Sequence, residues 1–467
     1  MKRILFLLLG LGALLPMACD DSTIDDNNPL SGIQLVSPID GDTLRQETRI
    51  QIASSDFGRL VVVGLRVDGE EVAISTNSPY DNDLDVRSWA DDQEHELEVW
   101  GAASNSSIVV SDPVTVTVSA SASAPAQPRY FYRTHNLSGN DWIQTLAPVG
   151  NGWLAGGSAG DQAWLMRLDR EGDMVWSWRF GTGNGQINAV LPVDGGSMVA
   201  GKLDGYPWVA KLNHRGYIVS SRGIDQYGEG SISDLIATAD GQGWLAIANT
   251  QAGARLMELD GTGAIVWDRS PLGGQTGTVE RLLNTQSGDL WICGAWTPDT
   301  NREALLVSTD QTGTVRWTRS LGAGYAWDLK EDGAGLVVCG ETGSDPAAVQ
   351  ATLWRTDNTG VLVESRVMQQ NAPHSAHRLL KSTGGDWWLA GWSAGAQSNG
   401  LDGLLAEVSF GSGTLWQHSH GDGLGQELRA LLPAADGGLV AAGMSGTSTG
   451  NGMDVWVIHT NTQGLIP

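Results

Sequence analysis

One short signature recurs along most of this chain and constrains its fold more than any other feature. An apolar pair is followed by a small residue and usually by Gly: Trp153-Leu154-Ala155-Gly156, Met198-Val199-Ala200-Gly201, Trp244-Leu245-Ala246-Ile247, Trp291-Ile292-Cys293-Gly294, Val337-Val338-Cys339-Gly340, Trp388-Leu389-Ala390-Gly391 and Val440-Ala441-Ala442-Gly443. The small residues are spaced 45, 46, 47, 46, 51 and 52 positions apart. A turn glycine closing an apolar run keeps step with them, at Gly172, Gly216, Gly263, Gly313, Gly360, Gly413 and Gly464. Asp169, Asp260, Asp310 and Asp357 stand three residues before their glycines, and Asn213 and Asn461 fill the same place in two more turns. Such a side chain can accept from its own downstream backbone N–H while the glycine takes positive φ, so this spacing predicts a tight hairpin. Each period holds four short β runs, in the first case 142–146, 152–155, 163–168 and 174–180. Four strands per period of this length make one blade of a propeller. The reading is therefore an all-β fold with a seven-bladed β-propeller over 129–467.

The two ends of the repeat complement each other. The last period stops at Asn461-Thr462-Gln463-Gly464-Leu465-Ile466-Pro467, where its outer strand should begin. Arg129-Tyr130-Phe131-Tyr132-Arg133 precedes the first inner strand much as Trp176-Ser177-Trp178-Arg179-Phe180 precedes the second. A strand at 129–136 is therefore expected to pair into the last blade, closing the ring and removing an exposed edge.

In three periods the turn continues as D-x-x-G-x-x-x-W, from Asp169 to Trp176, Asp260 to Trp267 and Asp310 to Trp317, with a partial form at Gly413-Thr414-Leu415-Trp416. This pattern resembles bacterial propellers of the quinoprotein-like and delta-60-like kinds. The resemblance implies architecture. Some such propellers bind pyrroloquinoline quinone and others bind proteins. The paired acidic and amide calcium ligands and the adjacent cysteines of the quinone enzymes have no counterpart here, so no cofactor is expected.

Composition agrees with many short strands joined by tight turns: among 467 residues there are 62 Gly and 20 Trp, and only 17% are charged. With 28 Lys plus Arg against 53 Asp plus Glu the formal charge is −25. A field of that sign repels phosphate backbones and anionic headgroups, so nucleic acid is excluded as an expected partner.

Before the propeller, Lys2 and Arg3 precede an apolar run over 4–15, too short to span a bilayer but suited to a signal-peptide core. It ends in Leu15-Pro16-Met17-Ala18-Cys19, which resembles the lipobox of bacterial lipoproteins, with Pro16 where that family prefers Leu. The resemblance implies a signal peptide over 1–18 and S-lipidation of Cys19. Residues 19–32 are polar and acidic, as expected of a flexible tether. Residues 33–120 alternate in β runs such as Arg49-Ile50-Gln51-Ile52 and Val114-Thr115-Val116-Thr117-Val118. Together with Val67-Asp68-Gly69 and His95-Glu96-Leu97-Glu98-Val99-Trp100, these resemble a small Ig-like β-sandwich. The small, uncharged 121–128 reads as a linker.

Candidate chemistry is sparse: the chain has no G-x-S-x-G, H-E-x-x-H or P-loop. His374 and His377 precede one inner strand and His418 and His420 the next, so their loops could share a rim with Asp422. Loop histidines in a surface protein are usually just solvated, and no metal is expected. Trp153, Trp244, Trp291 and Trp388 follow the repeat and read as wedge-filling core. Trp296, Trp327, Trp387 and Trp392 do not, and are candidates for an exposed aromatic platform. Matching positions at the inner-strand starts carry a varied polar set, Gln144, Asn188, Ser233, Glu280, Trp327, His377 and Arg429, as a ring adapted to one asymmetric ligand would, and as drift on a wet channel wall would equally produce. Cys293 and Cys339 occupy the small-residue position of adjacent blades. Sheets about 10 Å apart exceed the roughly 7 Å Cα limit of a disulfide, so both are expected to be free.

These features predict a lipid-anchored cell-envelope protein, outer rather than inner membrane, that uses a propeller face to dock an envelope protein or a glycan. The lipid is its expected membrane attachment. A propeller enzyme of the lyase or quinoprotein type is the alternative, which a mutually bonded His, carboxylate and Arg around His377 and Arg429 would favour.

Overall fold

A computed structural model describes residues 30–467 except 46–47, 76–79, 81, 85, 90, 104–106, 120–129, 138, 150–151, 194–195, 214, 299–300, 334, 344, 346–347, 369–371, 395–399, 423, 435 and 447–451. The signal-peptide and lipidation readings at 1–19, most of the tether and the 121–128 linker lie outside the described residues. No described helix is long and apolar enough to cross a membrane. The chain divides into two compact units, Met1–Gln127 and Pro128–Pro467.

The first unit is two sheets over one core. Gln34–Ser37, Thr48–Ala53 and Asn82–Leu84 form the smaller sheet. The larger has the order Thr43–Leu44, Val114–Val118, Glu94–Ala103, Leu60–Val67, Glu70–Ser75, with Ile108–Val110 also on Glu94–Ala103. Strand alternation sends Ile50 and Ile52 from one sheet and Leu65, Leu97, Val99 and Val116 from the other into the same buried cluster. On the opposite side, Arg66 and Glu98 form a 2.6 Å cross-strand ion pair.

The second unit is a series of antiparallel meanders. Meander 1 runs Asp141–Val149, Gly152–Ala159, Gln162–Leu168 and Met174–Phe180. Meander 2 spans from Gln186–Val193 to Ile218–Gly223, meander 3 from Gly230–Ala237 to Ile265–Arg269, and meander 6 from His374–Lys381 to Gly413–His420. Meander 4, opening at Gly277–Asn284, and meander 5, closing at Leu362–Val367, share the long strand Val315–Asp332. The first half of that strand pairs with Glu303–Thr309 and the second with Gly335–Thr342. Meander 7 holds Glu427–Pro433, Leu439–Gly446 and Met453–Thr460, and its fourth place is taken by Phe131–His135, in register from Phe131 opposite His459 to His135 opposite Val455. First strands of successive meanders touch in sequence order, and that of meander 7 touches that of meander 1. The unit is thus a ring of sheets around a channel, a β-propeller.

The turn between third and fourth strands repeats in detail. In meander 1, Asp169 Oδ1 accepts from the N–H of Glu171 at 3.0 Å and of Asp173 at 2.9 Å. Asn213, Asp260, Asp310, Asp357 and Asn461 do the same two and four residues on. Sheet packing uses the same turn: a Cβ on its glycine would meet an aromatic ring of the preceding outer strand, Phe131 at Gly172, Trp176 at Gly216, Trp267 at Gly313, Trp317 at Gly360 and Trp416 at Gly464. Phe131, from the N-terminal strand, occupies the place that tryptophans hold elsewhere in the ring.

Candidate functional site

Every first strand of the propeller is interrupted at one equivalent point. Its register against the second strand skips a residue between Ile143 and Thr145, Ile187 and Ala189, Ile232 and Asp234, Val279 and Arg281, Ala326 and Asp328, Ala376 and Arg378, and Leu428 and Ala430. The skipped residues are Gln144, Asn188, Ser233, Glu280, Trp327, His377 and Arg429. A bulge releases one residue from the ladder and re-aims its side chain. The varied polar set read from the sequence is therefore one structural position, repeated around the channel.

These side chains and their neighbours touch in succession. Asn188 Nδ2 donates to Ser231 Oγ and to the Ile232 carbonyl, both at 2.7 Å. Arg281 Nη1 donates to the Ser233 carbonyl at 3.4 Å and lies 3.5 Å from Asp234. Glu280 accepts a hydrogen bond from the Tyr325 hydroxyl, which is also 2.6 Å from Thr278 Oγ1. Trp327 stacks on Tyr325, centroids 4.2 Å apart, and packs on His377 at 4.5 Å. His377 Nδ1 lies 3.0 Å from Glu427, Glu427 lies 3.0 Å from Arg429, and Arg429 donates to Gln144 Oε1 at 3.4 Å. Gln144 and Asn188 make no direct bond to each other; both face a cavity of about 180 Å³.

The residue after each bulge adds charge. In meanders 3 to 6 it is Asp234, Arg281, Asp328 and Arg378, alternating in sign, whereas Ala430, Thr145 and Ala189 are neutral. Both aspartates bind across meanders: Asp234 accepts from the N–H of Leu235 at 3.0 Å and Leu282 at 2.9 Å, and Asp328 from Leu329 at 2.9 Å and Leu379 at 3.0 Å. Arg378 donates to the carbonyls of His377 at 2.7 Å and Gln144 at 3.2 Å. Burial, with the positive charge of Arg281 beside it, pulls its guanidinium down to about 10. Burial also lowers Arg281, but Asp234, Asp328 and Glu280 outweigh it and leave the group raised. Glu280 is raised by burial against the opposing pull of Tyr325, Arg281 and Arg378. Burial likewise pushes Glu427 up, yet the hydrogen bond and charge of His377 and the charge of Arg429 hold it well below the usual carboxylate range.

Several sequence expectations are corrected here. Trp387 is no platform: it is 1% exposed and packs in a core with Val337, Cys339 and Leu389. Its offset from the repeat reflects a neighbour, Trp388, that holds the regular position. Trp296 is half-buried against the Leu245, Ile292 and Val307 core, and Trp327 lies in the channel stack rather than on an outer face. The four histidines do not gather: they stand on opposite edges of one sheet, His420 level with Ser375 across it. His418 and His420 lie on the outer strand Gly413–His420, with His418 stacked on Trp416, while His374 and His377 lie on the first strand of that sheet. His374 is buried with its ring nitrogens 3.0 Å and 2.9 Å from the Ala372 and Met368 carbonyls. Cys293 and Cys339 are free and buried, and burial pushes both thiols well up. Arg281 and Arg378 escaped the sequence reading because only the bulge tells which neighbour of each polar residue turns toward the channel, and Lys202 because it stands on a second strand, opposite Gln186, away from the repeated position.

No protein-family model and no curated protein matches this chain. Among solved structures it is similar to a Bacteroides caccae protein of unknown function, at 12% identity over 58% of this chain and 91% of that one, with a TM-score of 0.38. It is also similar to the Dos1 propeller, at 11% identity over 70% and 93%, TM-score 0.44, and to Chaetomium thermophilum Sqt1, at 12% identity over 86% and 96%, TM-score 0.43.

Proposed function

We propose that this chain is a cell-envelope binding protein, lipid-anchored through Cys19, whose seven-bladed propeller recognises a polar partner at the channel mouth. An Ig-like sandwich serves it as a spacer. One observation carries the reading: seven bulges of the same backbone design carry seven different side chains around the channel, Gln144, Asn188, Ser233, Glu280, Trp327, His377 and Arg429, and the first four of them line a polar cavity. An asymmetric ligand accounts for that variety through a few placed polar groups. A glycan or a polar protein segment suits it, in keeping with the acidity that disfavours nucleic acid. Purification of the intact chain from the envelope, with mass spectrometry of bait and companions, tests both parts. The expected result is a diacylglyceryl Cys19 at the mature N-terminus and a companion or glycan lost when His377 and Arg429 are both changed to Ala. An unmodified Cys19, or companions indifferent to those changes, would overturn it.

A specific feature also favours the enzyme reading: His377 Nδ1 is committed to Glu427, which orients Nε2 as a proton acceptor, and Arg429 completes the buried group. Incubation with acidic glycans followed by measurement of their length tests it; unchanged glycans set it aside.

A further inference from the structure

We infer that the channel cavity is a site for a sugar acid of single-ring size, its carboxylate taken by Lys202 and Arg281. This rests on the reading that the channel is a binding site, and names the chemical class bound there.

At about 180 Å³ the cavity is smaller than the roughly 300–1,000 Å³ typical of drug-sized ligands, so it takes a small molecule or the end of a chain. Every residue lining it is polar or charged. Amides of Gln144, Gln186 and Asn188 and hydroxyls of Ser231 and Ser233 offer donors and acceptors together, and no apolar wall receives an acyl or aromatic group. A ligand hydroxylated around its ring matches such a lining; a hydrophobic one does not.

Charge selects among hydroxylated ligands. Lys202, Arg281 and Arg378 line the cavity against one acid, Glu280, in a chain whose formal charge is −25. Asp234 and Asp328 stand beside the arginines and offset their charge while their oxygens accept backbone N–H groups from two meanders each. Arg378 is engaged by two carbonyls. Lys202, half-buried at the end of Gly196–Leu203, has no acidic partner among the described residues, and Arg281 spends only Nη1 on the protein. The ammonium of Lys202 and the spare donors of Arg281, held in a partly desolvated cavity, are matched by a carboxylate, whereas a neutral sugar leaves Lys202 without a counter-charge. Glu280 and Asn188 remain to receive ring hydroxyls.

Isothermal titration of the full chain with D-glucuronate, D-galacturonate and D-mannuronate, with the corresponding neutral hexoses and with acetate, tests this. At least one uronate is expected to bind about tenfold or more tightly than its neutral hexose and than acetate. Lys202→Met should weaken that uronate by about tenfold while leaving thermal unfolding unchanged, because its ammonium holds no acidic partner among the described residues. Arg281→Gln should weaken it at least as much, and Lys202→Met decides the matter if that variant unfolds. Equal affinity for acid and neutral sugar, indifference to Lys202→Met, or binding by none of the uronates overturns the inference. In each case the envelope purification still judges the broader binding reading independently.

Discussion

Glu427 shows how much of the channel hangs on single residues. It is buried between His377 and Arg429, each 3.0 Å away, and their interactions outweigh burial to hold its carboxyl below the ordinary value of 4.5. A carboxyl depressed on folding contributes stability that is fully present above its unfolded pKa and lost as pH falls through the folded one. Glu427→Gln should therefore cost about 2–3 kcal/mol near neutral pH. That difference should shrink as pH drops below the usual glutamate range, a trend that urea unfolding of both proteins from neutral to acidic pH would record. Glu280, raised by burial, works in the opposite sense, so a general loss of carboxylate charge cannot mimic the pattern. The seven bulge residues were legible from their matched positions in the repeat. Their partners were not, because Glu427 and Tyr325 lie two residues upstream of the bulge in their own strands and meet His377 and Glu280 only across sheet boundaries.

At the scale of elements, the hairpin turn and the outer-strand aromatic look like one local motif in the sequence, D-x-x-G-x-x-x-W. In space the aromatic covers the turn of the next sheet. A Cβ on Gly360, φ +76°, would lie 2.2 Å from the Trp317 ring, whereas Gly413, φ +81°, has no atom within 4 Å of its Cβ position. The difference follows from the preceding outer strand, Leu362–Val367 for Gly413, which carries no Trp. Both Gly→Ala changes incur left-handed strain of about 1–2 kcal/mol. Gly360→Ala adds the ring clash and should be less stable than Gly413→Ala by on the order of 2 kcal/mol, measured as a difference in denaturation midpoints. Equal midpoints would show that the aromatic does not fasten neighbouring sheets. Local spacing could reveal the hairpin because the Asp or Asn side chain and its N–H partners sit within four residues. It could not reveal a contact that spans more than forty.

For the whole molecule, periodicity made the propeller readable, since a repeat of this length must bury its faces against copies of itself. Closure was readable too, as a missing strand at one end and a spare one at the other; Phe131–His135 lies on Met453–Thr460. The cavity was less so, because it gathers Gln144, Lys202, Arg281 and Arg378 from four different sheets, and no linear pattern links them. The account stands on the claim that this gathering is a binding site rather than a wet channel wall. Crystallography of the full chain grown with the tightest-binding uronate tests it most directly. The expected result is a sugar ring in the cavity with its carboxylate within hydrogen-bond distance of Lys202 Nζ and the Arg281 guanidinium; an empty channel at saturating ligand, or a sugar seated elsewhere on the protein, would contradict it.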